Sequence, residues 1–136
     1  MGETGVSDKR GVQLTKQYEG FKEVVYLCPA GFLTTGWGHK LALNSFFPKE
    51  ASQILFKHDY EQAELEYESL NLSLDPIRRI IIVDLLFNMG LQGVLGFKKM
   101  LNALQRRDFE SASQELMDSK YFKTDHNCKG RALKNA

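Results

Sequence analysis

The segment 77–89 constrains the fold more than any other part of the sequence, because it is apolar on nearly every side. It contains the runs 80–83 and 85–87, made only of Ile, Val, Leu and Phe. A helix that is apolar all round lies in the middle of other elements. The dipeptide Asp75–Pro76 is typical of a helix start, and Gly90 is typical of a helix end. We therefore predict a central helix here, with other helices packed around it.

Composition limits the classes of protein to consider. The chain has 136 residues, 43% apolar and 26% charged, which fits one soluble domain. Its formal net charge of +1 gives no reason to expect a nucleic-acid partner. No run of about 18 apolar residues occurs and residues 1–10 are mostly polar, so we predict neither membrane insertion nor a signal peptide. Cys28 and Cys128 lack the spacing of a zinc site or a disulfide framework, so we expect no metal, no cofactor and reduced thiols.

The order of elements predicts an α+β, mainly α fold in one domain, 1–136. A helix over residues 8–19, capped by Ser7 and stopped by Gly20, comes first. Residues 21–38 are rich in β-branched and aromatic side chains around a turn cluster, which predicts a short antiparallel hairpin or meander.

A long helix follows and organises the rest of the chain. It starts at Pro48, continues past twenty residues and is interrupted at 71–73. After the central helix, shorter amphipathic helices continue to about residue 117. We predict a small N-terminal lobe, about 20–55, and a helical C-terminal lobe, 70–136, joined by the long helix. The N-terminal helix is expected to pack with the C-terminal lobe.

The stretch from Glu19 to His39 gathers side chains capable of chemistry. A glutamate on the last turn of a helix that enters a hairpin projects over its strands, toward Thr34 on the far arm. Each residue also has a plain structural interpretation. A glutamate at a helix end is usually solvated, cysteines such as Cys28 are often buried as small apolar groups, and Thr34 is a good strand residue. Trp37, between two glycines, is predicted to pack into the core of the small lobe rather than to stack on a sugar.

An ordered series of motifs across nearly the whole chain resembles the phage lysozyme (endolysin) family of the T-even type. The motifs are Glu19–Gly20, Cys28, Thr34, Gly36, Gly38–His39, Leu74–Arg79, Phe87–Gly90 and Gly96–Phe97. The resemblance implies a lysozyme-like fold of two lobes with a cleft between them. It further implies a muramidase that hydrolyses the β-1,4 bond between N-acetylmuramic acid and N-acetylglucosamine in peptidoglycan. A preference for chitin over peptidoglycan remains open.

The resemblance also assigns roles to residues. Glu19 is the general acid, and partial burial in the cleft would raise the pKa of its carboxyl group. Cys28 stands where the family usually has aspartate, as the second catalytic group, and Thr34 positions water. His39 would pair with Asp59 on the long helix. The remaining implied site residues are Arg131, which would approach the glutamate, and the substrate-binding residues Phe87, Asn88 and Phe97.

Further expectations concern partners and alternatives. We expect a monomer that acts on peptidoglycan strands and stays in the host cytoplasm until its release to the periplasm and cell wall. Cys28 and Cys128 could approach each other through the basic tail, but the reduced state is predicted. A catalytically silent module that binds cell-wall glycan or acts structurally remains the main alternative, because Cys28 replaces a carboxylate. A purely structural helical domain would leave the motif series unexplained.

Overall fold

A computed structural model describes residues 7–119 and 133–134 of the chain. The described residues form two compact units that divide between Phe47 and Pro48. The mainly helical α+β class predicted from the sequence is confirmed. The elements in chain order are α1 (Lys9–Glu19), β1 (Lys22–Leu27), β2 (Leu33–Gly36), β3 (His39–Lys40), α2 (Lys49–Ser69), α3 (Pro76–Leu95), α4 (Lys98–Gln105) and α5 (Phe109–Met117).

Helix α1 opens the first unit and is capped at both ends. The Asp8 carboxylate accepts a hydrogen bond from the amide of Arg10 at 2.9 Å, so Asp8 is the N-cap, and the prediction that Ser7 caps this helix is wrong. The helix ends at Gly20, whose φ of 73° favours glycine and whose amide donates to the carbonyl of Lys16. Glu19 is therefore the last residue of α1, as predicted.

The three strands form an antiparallel meander in the order β1, β2, β3. Tyr26 pairs with Thr34 and Lys22 pairs with Gly36, with an irregularity between them that leaves extra residues on β1. The hydroxyl of Thr35 donates to a backbone carbonyl within that irregular stretch at 3.1 Å. The meander predicted from the sequence is confirmed.

The first unit has almost no buried side chains. Thr34 is the one buried residue among its described positions. Trp37 is 47% exposed, so the prediction that it packs into a lobe core is wrong. The reason is that its apolar neighbours along the strands are themselves exposed, which leaves no core to join. The large exposed hydrophobic residues of β1, β2 and the turn between them are Val24, Val25, Leu27, Phe32 and Leu33.

The second unit holds the apolar core, which is centred on α3. Gly90 has a φ of 77° and breaks the helix into two helical pieces, so the main helix ends where the sequence predicts. The buried core is formed by Ala63, Tyr67, Leu72, Ile82, Val83, Leu85, Leu86, Val94, Met100, Ala103, Leu104, Ala112, Leu116 and Leu133. We expected α3 to be enclosed on every side. It is central to the core, but Ile77 and Ile80 are about half exposed, so one part of its surface is uncovered.

A buried arginine ties the start of α3 to residues 133–134. The guanidinium of Arg78 donates to the carbonyls of Leu133 and Lys134 at 2.6 and 2.8 Å, and it pairs with Asp75 at 2.8 Å. It also lies 3.6 Å from the centre of the Phe109 ring, on α5. One side chain thus connects three separate parts of the second unit.

The predicted single domain, and the packing of α1 with the helical lobe, concern the relation of the two units and stay predictions. The boundary after Phe47 lies before the predicted limit of the small lobe near residue 55. Among the described helices none alone is long and apolar enough to cross a membrane, and only α3 and α4 taken together, bent by 101°, reach that length and composition.

Candidate active site

The carboxylate of Glu19 lies against the turn between β2 and β3. A Cβ atom placed on Gly38 would come within 2.9 Å of Cδ and 3.4 Å of Cγ of Glu19, and would clash with its Oε1. Gly38 also has a φ of 76°, a conformation that L side chains rarely adopt. The absence of a side chain at Gly38 therefore makes room for the Glu19 carboxylate.

The Glu19 side chain is open to solvent. Glu19 is an exposed residue of the first unit. The partial burial expected in a cleft between the two lobes concerns the relation of the units and stays a prediction. Among the described residues no hydrogen bond or ion pair engages its carboxylate. No side chain of the described residues therefore competes for its oxygen atoms.

Cys28 is held at the turn that joins β1 to β2. Its amide donates to the carbonyl of Phe32 at 2.9 Å, and the amide of Phe32 donates back to Sγ at 3.4 Å. The hydrogen bond from Phe32 is the largest influence on the thiol, and it lowers the pKa of Cys28. Burial opposes this shift, while the Ala30 amide, the Thr34 hydroxyl and the charge of Lys40 add to it. The environment therefore stabilises the thiolate of Cys28 relative to that of an isolated cysteine.

Thr34 lies beside Cys28, on the other arm of the same hairpin. Thr34 is only 2% exposed, and its hydroxyl donates to the carbonyl of Phe32 at 2.8 Å. The same hydroxyl lies near enough to the Cys28 thiol to lower its pKa. The backbone of Phe32 is thus the common partner of both side chains. Sequence reasoning missed Phe32, because a backbone donor leaves no side-chain signal. The turn residues between Cys28 and Phe32 are the one signal from which such a returning amide could have been inferred.

His39 occupies the start of β3 and is exposed. Its ring lies edge-on to Phe47, with the centroids 6.4 Å apart and the planes at 76°. The predicted pairing of His39 with Asp59 joins residues of the two units and stays a prediction.

In the second unit, Asp59 and Phe87 line one groove of about 250 Å³ between α2 and α3. The other lining residues are Gln62, Ala63, Glu66, Leu86 and Gly90. Phe87 also packs against Phe56 and Tyr60 of α2, with centroid distances of 5.3 and 6.3 Å. Asp59 and Phe87 therefore line the same groove. The resemblance implied different roles for them, pairing with His39 for Asp59 and substrate binding for Phe87.

Asn88 and Phe97 lie elsewhere in the second unit. The Asn88 amide is exposed and donates to the backbone carbonyl of Asp84 at 2.8 Å. Phe97 is the N-cap residue of α4 and lines a different pocket of about 340 Å³, beside α5. Arg131 and Cys128 lie outside the described residues, so their predicted roles are untested. The described residues contain no group of three or more His, Cys, Asp or Glu that could hold a metal ion.

Comparison with known proteins places these features in a family. Residues 16–135 match the family model for phage lysozyme. The chain is 29% identical over 92 residues to a probable T4-type lysozyme 1 of Dictyostelium discoideum, a match that covers 60% of this chain and 54% of that protein. It is also 30% identical over 112 residues to an endolysin of Acyrthosiphon pisum secondary endosymbiont phage 1, covering 80% of this chain and 76% of that protein. The residues that fold Glu19 over Gly38 lie within the matched region, and the chain belongs to the phage lysozyme family, a family of hydrolases.

Proposed function

We propose that the chain is an endolysin-type muramidase that hydrolyses the β-1,4 bond between N-acetylmuramic acid and N-acetylglucosamine in bacterial peptidoglycan. Family membership supports the lysozyme activity. The observation that carries the assignment of the general acid is the exposed Glu19 carboxylate, fixed at a helix end and seated over Gly38. Release from the host cytoplasm to the cell wall belongs to the same proposal.

The proposed reaction uses two groups on opposite sides of the sugar. Glu19 donates its proton to the glycosidic oxygen as the bond to the anomeric carbon breaks, and positive charge develops on the sugar. A water molecule attacks the anomeric carbon from the other side and gives its proton to the second group, Cys28 as thiolate. Thr34 positions this water; its hydroxyl lies beside Cys28 and donates to the carbonyl of Phe32. Such an inverting reaction requires about 6.5 to 9.5 Å between the acid and the base.

The decisive experiment compares the wild type with Glu19→Gln on permeabilised Gram-negative cells, measured as loss of turbidity. General-acid catalysis contributes about 10²- to 10⁴-fold, so Glu19→Gln should lose at least a hundredfold of the rate. Glu23→Gln is the matched control, because Glu23 is an exposed glutamate on β1 of the same unit. Equal clearing by the wild type and Glu19→Gln would refute the role of Glu19.

One observation favours a second candidate, a catalytically silent module that binds cell-wall glycan. Cys28 has a thiol rather than a carboxylate at the second position, and only part of a thiol population is ionised near neutral pH. In that case the wild type would co-sediment with purified peptidoglycan without releasing new reducing ends. Release of reducing ends by the wild type, together with its loss in Glu19→Gln, excludes the silent module.

A further inference from the structure

Trp37 is the only tryptophan of the chain, and it lies between two contacts that flank Glu19 along the backbone. The ammonium group of Lys16 stands 4.1 Å from the centre of the indole. The ring of Phe21 packs on the indole with a centroid distance of 4.4 Å and a tilt of 46°. Lys16 precedes Glu19 by one helical turn, and Phe21 follows it by two residues.

The position of Trp37 in the sequence gives these contacts a consequence for Glu19. Trp37 directly precedes Gly38, the residue against which the Glu19 carboxylate lies. The end of α1 is therefore attached to the indole on both sides of Glu19, while the carboxylate rests on the next residue of the same turn. From this arrangement we infer that Trp37, with Lys16 and Phe21, is a positioning residue that holds Glu19 in the place needed for proton transfer. The inference rests on the proposed function of Glu19.

The contacts with Trp37 are needed to position Glu19 because α1 has no buried residues to hold it in place. None of the described residues of α1 is buried, so apolar burial does not fix the helix end. A cation–π contact and an aromatic contact each hold exposed groups together, and here one of each is made to the same indole. Gly20 has a φ of 73°, so the chain bends sharply between the two contacts. If either contact is lost, only one contact joins the end of α1 to the indole, and Glu19 lies next to the bend at Gly20.

The effect on the reaction should be large, because proton transfer is sensitive to distance. A misplacement of about 1 Å can cost about a hundredfold in rate. Trp37→Ala should therefore lower kcat on soluble, uncrosslinked glycan strands at least tenfold per folded molecule, with KM within threefold of the wild type. Trp37→Phe keeps an aromatic face for Lys16 and Phe21 and should recover most of kcat. A purely structural role would lower the melting temperature and leave kcat per folded molecule unchanged.

Lys16 provides a variant that does not depend on the folding of the tryptophan mutants, because its side chain is exposed. Lys16→Ala should lower kcat about threefold or more, and Lys16→Arg should restore it. The matched control is Lys22→Ala, since Lys22 also lies over an aromatic ring of this unit, Tyr26 at 4.5 Å, without joining α1 to Trp37. Lys22→Ala should keep the rate of the wild type. If Lys16→Ala and Trp37→Ala both keep kcat within a factor of two, the inference is wrong.

An NMR measurement separates this inference from the proposed function. The amide resonance of Gly38 should move when Glu19 is changed to Gln in the wild-type background, because the carboxylate lies on Gly38. In the Trp37→Ala background the same change should move that resonance by less than half as much. If the wild type cleaves no glycan, the proposed function is wrong. This measurement still tests whether Trp37 holds Glu19 in position. An equal shift in both backgrounds would overturn the inference.

Discussion

The contacts of Arg78 predict that this one side chain determines much of the stability of the second unit. Arg78 is 8% exposed, and it donates hydrogen bonds to the carbonyls of Leu133 and Lys134 and to Asp75. Arg78→Met keeps most of the aliphatic stem and removes only the charged fork. The buried carbonyl of Leu133 would then lack this donor, and Asp75 would lose the cation that faces it.

The expected cost can be worked from these contacts. Removing one partner of a buried ion pair costs about 3–5 kcal/mol, and a buried acceptor left without a donor costs about 1–3 kcal/mol. The side chain of Asp75 is 35% exposed, so water recovers part of the loss. We therefore expect Arg78→Met to lower the free energy of unfolding by about 3 kcal/mol. For a chain of this size that corresponds to a fall in Tm of about 10 °C.

The assay is urea and thermal unfolding followed by far-UV circular dichroism. Arg78→Lys keeps a positive charge near Asp75 but lacks the planar fork that reaches two carbonyls, so its loss should be intermediate. Arg106→Met is the matched control, because Arg106 forms an exposed ion pair with Asp108 at 3.6 Å and should cost less than 1 kcal/mol. Equal losses in Arg78→Met and Arg106→Met would refute the reasoning.

Three further predictions test the site and the electrostatics. Gly38→Ala should lower activity at least tenfold, because the new Cβ atom would displace the Glu19 carboxylate. Gly36→Ala should not, because Gly36 has a similar positive φ but open space around it. Equal activities of the two variants would show that Glu19 does not need the space at Gly38. Burial raises the pKa of Asp75, but the hydrogen bonds and charge of Arg78 outweigh it and lower the pKa overall. The wild type should therefore be more stable than Asp75→Asn above about pH 4, and this difference should disappear as pH falls through the folded-state pKa of Asp75. Urea titrations at each pH measure the difference. In a Cys128→Ser background, iodoacetamide should modify Cys28 faster at pH 7 in the folded than in the urea-unfolded chain, because its folded-state pKa is lowered.

The helices could be predicted because their signals are local. The dipeptide Asp75–Pro76 and the glycine at position 90 mark the ends of the main helix of α3, and both lie where the structure has them. The N-cap residue of α1 was predicted wrongly for a different reason. Ser7 and Asp8 are both good N-cap residues. The choice between them depends on which side chain reaches the amide of Arg10, a matter of geometry that the residue types do not record.

Burial could not be predicted as well, because it depends on which elements meet. Trp37 has the sequence context of a core residue, yet its neighbours along the strands are exposed and it contacts Lys16 and Phe21 instead. The apolar character of 77–89 predicted a helix enclosed on all sides, and the structure encloses only part of it. A one-dimensional pattern states how apolar a face is and leaves open whether anything covers that face.

The two groups proposed for the chemistry are held by different kinds of constraint, and this difference bears on how the site tolerates change. The position of Glu19 depends on the space at Gly38 and on contacts made by neighbouring side chains, so substitutions at several positions can move it. The position of Cys28 depends on the backbone amide of Phe32, which every residue except proline supplies. A turn that offers a backbone amide can hold an aspartate as well as a cysteine, since a carboxylate accepts the same hydrogen bond more strongly. The backbone of this turn therefore suits a thiol and a carboxylate alike, and the aspartate that the resemblance implies at position 28 could accept the same amide hydrogen bond.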